Sequence, residues 1–125
     1  MALRCFIVDD SSHFLSAAQD LLTGEGLEIV GVASTAEEAL RAVEGARPDV
    51  VLIDVELGQE SGFELARRFQ RETSVDRSRV IMISTHAEED IEELMTTAPV
   101  AAFLSKSLLS ADAIRRLLGG TGDAL

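Results

Sequence analysis

With 125 residues the chain fits one domain that buries roughly two thirds of its unfolded surface, and an apolar share of 46% excludes global disorder. A formal charge of -11, with Lys and Arg scattered or set beside acids, excludes a nucleic-acid-binding surface. No apolar run is long enough to span a bilayer, MALRCFIVDD meets charge too early for a secretory signal, and the single Cys5 allows no internal disulfide, so the expected place is the cytoplasm, with Cys5 as core filler.

Leu3 to Val8 (LRCFIV) is a continuous apolar run that stops on Asp9-Asp10, the pattern of a strand buried on both faces. Ser11 or Ser12 caps a helix carrying Phe14, Leu15, Ala18, Leu21 and Leu22 at helical spacing, ending near Gly24 and Gly26. His13 lies in its first turn and reads as a surface or packing histidine, with no second His or Cys at metal-ligand spacing. Leu27 to Ala33 is a second strand, and Ser34 or Thr35 starts a helix through Ala36, Ala39, Leu40 and Val43. Pro48 leads into the stretch DVVLIDVELG, whose apolar run Val50 to Ile53 ends on Asp54; alone, that residue is either a functional acid at a strand end or the cap of a turn.

Beyond the turn, Ser61 to Glu72 places Phe63, Leu65, Ala66 and Phe69 on one stripe, with Arg67, Arg68 and Arg71 as its solvated face. Arg79 to Ser84 (RVIMIS) is a fourth strand ending on a hydroxyl; Glu88, Glu89 and Asp90 suit the first turn of a helix over Ala87 to Thr97. Ala101 to Leu104 is a fifth strand leading to Ser105 and Lys106, and Ser110 caps a last helix with Ile114, Leu117 and Leu118, stopped by Gly119 and Gly120. The pattern predicts an α/β fold, a doubly wound five-stranded parallel sheet in the flavodoxin-like order 2-1-3-4-5 with five flanking helices, occupying residues 1–120 and leaving 121–125 as a flexible tail.

That order converges Asp9, Asp10 and Asp54 at one end of the sheet, with Ser84 and Lys106 arriving from neighbouring strands. Carboxylates about 5 Å apart at an effective dielectric of about 20 repel by about 3 kcal/mol per pair, so positive charge must sit among them. One lysine leaves the cluster near a net charge of about -2, and an oxygen-rich acidic site suits Mg²⁺. A carboxylate beside Mg²⁺ can attack a phosphoryl group, with Ser84 and Lys106 holding the remaining phosphoryl oxygens.

Asp9-Asp10, Asp54, Ser84 and Lys106 stand where response-regulator receiver domains of two-component signalling have their acidic pair, phosphoacceptor, switch hydroxyl and lysine, and the chain resembles that family over residues 3–118. The resemblance implies Mg²⁺ held by Asp10, Asp54 and the backbone carbonyl of Glu56, with Asp9 acting through water. It implies a histidine kinase as phosphodonor and a downstream effector protein or output domain as recipient of the signal. The reporting surface would be the last helix, the last strand and the helix before them, in a monomer or a phosphorylation-dependent dimer. Phe103, three residues before Lys106, matches the family's switch aromatic, or is a core phenylalanine at a strand end. Glu56 and His86 match the positions that tune phosphoryl lifetime. Three departures stand out: Gly58 in place of a proline after Asp54, Thr85 in place of a small residue after the hydroxyl, and Ser107 in place of the proline after Lys106. A cis peptide before Ser107 would cost about 3 kcal/mol. The segment Ala98 to Val100 lacks the usual glycine-bearing turn, so the expectation is a short or mobile helix over Ala87 to Thr97.

Two other readings use the same residues. A phosphohydrolase of the haloacid dehalogenase type also combines an Asp nucleophile, a hydroxyl and a lysine, but places one residue between its two aspartates, where this chain has Asp9-Asp10-Ser11 and no length for a cap. A pseudo-receiver would keep the fold as a binding module without phosphorylation. A flavodoxin is disfavoured by the absence of Trp and Tyr and of a hydroxyl-rich loop after the first strand.

Overall fold

A computed structural model describes residues 2–85 and 99–119. The first strand, β1 (Arg4–Val8), alternates Cys5 and Ile7 towards one face with Phe6 and Val8 towards the other, all of them fully buried. It pairs in parallel with β2 (Glu28–Ala33) on one side and β3 (Val50–Asp54) on the other. Beyond β3 come β6 (Val80–Ser84) and β7 (Ala102–Ser105), also parallel. The intervening β4 (Glu56–Leu57) and β5 (Glu60–Ser61) are a separate two-residue hairpin. The sheet order is therefore β2-β1-β3-β6-β7, the expected 2-1-3-4-5 when only sheet strands are counted.

Both faces are covered because the central strands are apolar between their polar ends. One layer joins Val51, Ile53, Val80 and Met82 to α2 (Ala36–Ala46) and α3 (Gly62–Glu72). The other joins Val50, Leu52, Ile81 and Ile83 to α1 (Ser12–Gly24) and α4 (Ala111–Gly119). Their capping follows the sequence: Ser11 accepts from the Phe14 N–H, Thr35 from Glu38, Ser61 from Glu64 and Ser110 from Ala113. The helix expected over residues 87–97, Ala98, His86 and the tail 121–125 lie outside the described residues. No helix among the described residues is long and apolar enough to cross a membrane.

Sequence patterning marks strands longer than three residues and misses shorter features. Arg79, expected in the fourth strand, closes a 3₁₀ turn (Arg77–Arg79) capped by Asp76, whose carboxylate accepts the Ser78 N–H. The fifth strand starts one residue later than expected, at Ala102, and a second 3₁₀ turn (Lys106–Leu108) follows it. Edge strand β2 carries an irregularity opposite Cys5 and Phe6, where Gly31 faces Phe6. A Cβ on Gly31 would lie 2.7 Å from the Phe6 ring, so the glycine makes room for one of the largest core side chains. Cys5 is a core filler as expected, its thiol pushed up to about 12 by burial, and His13 is exposed.

Candidate functional site

Parallel pairing of β1 with β3 brings their carboxyl ends side by side: Val8 lies opposite Ile53, so Asp9 and Asp54 emerge together. Their carboxylates and that of Asp10 each offer an oxygen, all within 4.8 Å of one another. Asp9 is fully buried and Asp54 nearly so, while Asp10 is exposed. Asp9 Oδ1 accepts the Ser11 N–H at 2.8 Å. Its Oδ2 is 2.7 Å from Lys106 Nζ, a contact of charge with charge that is off the direction of an aligned hydrogen bond. Lys106, the chain's one lysine, reaches Asp54 Oδ2 at 3.6 Å, longer than a hydrogen bond.

Burial pushes the Asp54 carboxyl up to about 6, and the Asp9 charge pushes the same way; the Lys106 ammonium and the Glu56 backbone N–H only partly offset them. The cluster is thus short of positive charge, as three carboxylates around one ammonium must be. Hard carboxylate oxygens at this spacing, one of them buried without an aligned donor, fit a divalent cation such as Mg²⁺.

Ser84 ends β6, buried, one residue beyond the Ile83 that pairs with Asp54, and its register partner on β7 is Ser105, the residue before Lys106. The expected residues at four strand ends therefore share one end of the sheet. Glu56 adjoins the site through its backbone N–H, which donates to Asp54. Thr85 is exposed beyond Ser84. Phe103 is half-buried with its ring 5.6 Å from that of Phe63 on α3, so it links β7 to the helix that follows the hairpin.

Three contributors are invisible to strand-end counting. Gly62 opens α3 directly against Asp54: a Cβ there would fall 1.9 Å from the Asp54 carbonyl oxygen, and its N–H donates to Val55 O at 2.8 Å. Gly58 begins the two-residue turn of the β4–β5 hairpin with φ of 63°, a value closed to proline, and a Cβ there would lie 3.4 Å from Asp10 Oδ2. The departure from proline at this position thus accompanies a tight hairpin. The Phe14 ring lies 4.3 Å from Lys106 Nζ, a cation–π contact across the first helix. An acid followed eight residues later by a glycine at a helix start is a sequence signal that would have found Gly62. Nothing in the pattern of α1 distinguishes Phe14 from a core residue. No cis peptide occurs among the described residues, so the bond before Ser107 is trans.

Comparison with known proteins agrees with this geometry. The response regulator receiver domain family model matches residues 5–118. A protein-glutamate methylesterase/protein-glutamine glutaminase of Haloarcula marismortui is 36% identical over 90 residues, 72% of this chain but 24% of that protein. The uncharacterized transcriptional regulatory protein YvfU of Bacillus subtilis is 33% identical over 122 residues, 94% of this chain and 60% of its own length. The chain thus spans about a quarter of one relative and 60% of the other. In fold it is similar to a response regulator receiver domain protein of Methanospirillum hungatei, with a TM-score of 0.75, 23% identity and full coverage of both chains. With the family model matching almost the whole sheet and its helices, the chain belongs to the response regulator receiver domain family.

Proposed function

We propose that the chain is a phosphorylation-gated switch of two-component signalling in the cytoplasm, with residues 1–120 as its receiver unit, 121–125 as a tail, and Asp54 accepting a phosphoryl group from a partner histidine kinase. The observation that carries this reading is the position of Asp54 at the carboxyl end of β3, with the Asp9 and Asp10 carboxylates within 4.8 Å and Lys106 Nζ at 3.6 Å. Asp10, Asp54 and the Glu56 backbone carbonyl would hold Mg²⁺, with Asp9 acting through water. Bound there, the ion would neutralise and orient the oxygens of the incoming phosphoryl group.

The Asp54 carboxylate attacks phosphorus in line, forming a P–O bond as the P–N bond to the donor imidazole breaks. The electron pair leaves with the imidazole nitrogen, which takes a proton from solvent. Lys106 turns from Asp9 towards the phosphoryl oxygens, and the Ser84 hydroxyl donates to another. These charge-assisted bonds exist only in the phosphorylated state, so they bias the fold towards it. Movement at Ser84 reaches Phe103 through adjacent β7, and the Phe103–Phe63 contact ties that movement to α3. The surface of α4, β7 and residues 87–97 then reports to an effector protein or an output domain, as a monomer or a phosphorylation-dependent dimer. Water later attacks phosphorus to restore the carboxylate, at a rate tuned by Glu56 and His86, two residues beyond Asp54 and Ser84 in the sequence. The chemistry is confined to the protein's own phosphorylation and dephosphorylation.

Incubation with acetyl phosphate and Mg²⁺ tests this. Intact mass should rise by one phosphoryl group, mapping to Asp54, and the gain should vanish in Asp54→Asn and in excess EDTA. Phosphate incorporated undiminished by Asp54→Asn would make another residue the acceptor, and a wild type that takes up no phosphate would make the pseudo-receiver the better reading.

A further inference from the structure

Lys106 must stay close to two carboxylates yet be free to move onto a phosphoryl group, and the backbone around it does little to fix it. It opens a three-residue 3₁₀ turn capped by the Ser105 Oγ, which accepts the Ser107 N–H at 3.3 Å. Ser107 is exposed and, unlike a proline, does not fix its own φ. A lysine side chain is also long and rich in rotamers, so ordering it carries an entropy cost.

What holds the ammonium is a closed circuit of contacts through the start of α1. Asp9 Oδ1 accepts the Ser11 N–H at 2.8 Å, and Ser11 Oγ accepts the Phe14 N–H at 3.1 Å. The Phe14 ring stands 4.3 Å from Lys106 Nζ, and Nζ returns to Asp9 Oδ2 at 2.7 Å. Phe14 is half-buried and packs against the core on the α1 and α4 side, so its ring is anchored independently of the lysine. Its electron-rich face attracts the ammonium that stands over it.

We propose that Phe14 is the positioning residue of Lys106, its ring holding the ammonium beside Asp9 and Asp54 so that a short pivot carries it onto the phosphoryl group. The part of this that concerns phosphoryl transfer rests on the function proposed above; the part that concerns the position of the lysine does not.

The single lysine makes the test direct. Protein labelled with ¹³C at lysine Cε gives one methylene signal. In the wild type that signal should be shifted upfield by the Phe14 ring current relative to the urea-unfolded chain. It should stay so in Phe14→Tyr and move to the unfolded position in Phe14→Leu. Phosphorylation by acetyl phosphate with Mg²⁺ should slow about five- to tenfold in Phe14→Leu and stay within about twofold in Phe14→Tyr, the range expected for loss of a partly desolvated cation–π contact. Phe14→Met is a second ringless variant, so a folding defect confined to one of them does not decide the result. A wild-type signal without the upfield shift, or ringless variants that are folded and phosphorylated at the wild-type rate, would overturn the proposal. Wild-type protein that keeps the ring shift but takes no phosphate would overturn the phosphoacceptor reading, and the rate role of Phe14 with it, while its contact with Lys106 stands.

Discussion

The two ends of the parallel sheet handle charge in opposite ways. At the amino end, Arg4, Asp49 and Arg79 each meet a hydrogen-bond partner. Asp49 Oδ2 accepts the Arg4 N–H at 2.8 Å, the Arg4 guanidinium donates to Arg47 O and Ala46 O, and Arg79 donates to Pro48 O. At the carboxyl end, Asp9, Asp10 and Asp54 share one ammonium, and Asp54 is pushed up to about 6 by burial and by Asp9. One end is settled by its own residues, while the other is held under strain by the packing beneath it. The proposed binding of a cation and a phosphoryl group would draw on that asymmetry, because a cluster already neutral would gain little by binding either.

The packing that enforces the strain is tightest at Gly62, and the largest effect is expected there. With a Cβ at 1.9 Å from the Asp54 carbonyl and 3.0 Å from the Met82 methyl, Gly62→Ala cannot be accommodated without moving β3 or the start of α3. Overpacking usually costs about 1–3 kcal/mol, and a clash with backbone belongs at or beyond the top of that range. Thermal unfolding should therefore fall by about 10 °C or more, with loss of phosphorylation even where the variant stays folded. A variant with wild-type stability would mean that the carboxyl end is not set by this contact.

Next in size is relief of the strain itself. A carboxyl whose folded value stands at about 6, above the 3.8 of a free side chain, binds its proton more tightly in the folded chain. It destabilises the fold progressively as pH rises from 3.8 through 6, and the full cost is present above that. Asp54→Asn should consequently raise stability at pH 7.5 in EDTA by about 2 kcal/mol, less than the full shift implies because Lys106 also loses a partner. The gain should shrink by pH 5, and Mg²⁺ should stabilise the wild type more than the variant. Denaturant melts at the two pH values check this; an Asn variant less stable than wild type at pH 7.5 would show the carboxyl end to be balanced after all.

How much of this asymmetry could be read from the sequence follows from the range of each interaction. Strand ends were legible because continuous apolar runs such as Val50 to Ile53 and Val80 to Ile83 stop on polar residues, and parallel topology then gathers Asp9, Asp54, Ser84 and Lys106. Contacts set by a single atom's approach were not. The β4–β5 hairpin hides in a stretch with no alternation, Gly62 reads as an ordinary helix start, and Phe14 fits the apolar stripe of α1 whether or not a lysine lies above it. The trans bond before Ser107 likewise depends on the three-dimensional path of β7 into its 3₁₀ turn.

The smallest effect is expected at the settled end, and it separates charge from hydrogen bonding there. Asp49 and Arg4 exchange two bonds, the Asp49 N–H to Arg4 O at 2.8 Å and the Arg4 N–H to Asp49 Oδ2 at 2.8 Å, which tie the start of β3 to the start of β1. Asp49→Ala removes the second and leaves a partly buried N–H without its acceptor, a loss of about 1–2 kcal/mol. Asp49→Asn retains an acceptor oxygen and should recover most of that stability if the bond rather than the charge matters. Neither variant should change the rate of phosphorylation at the opposite end by more than about twofold, because a bond satisfied within the fold shifts stability without biasing two functional states against each other. A phosphorylation rate that tracked Asp49 would show that the two ends of the sheet are coupled through β1 and β3, and that the strain at Asp54 is shared by the whole strand pair.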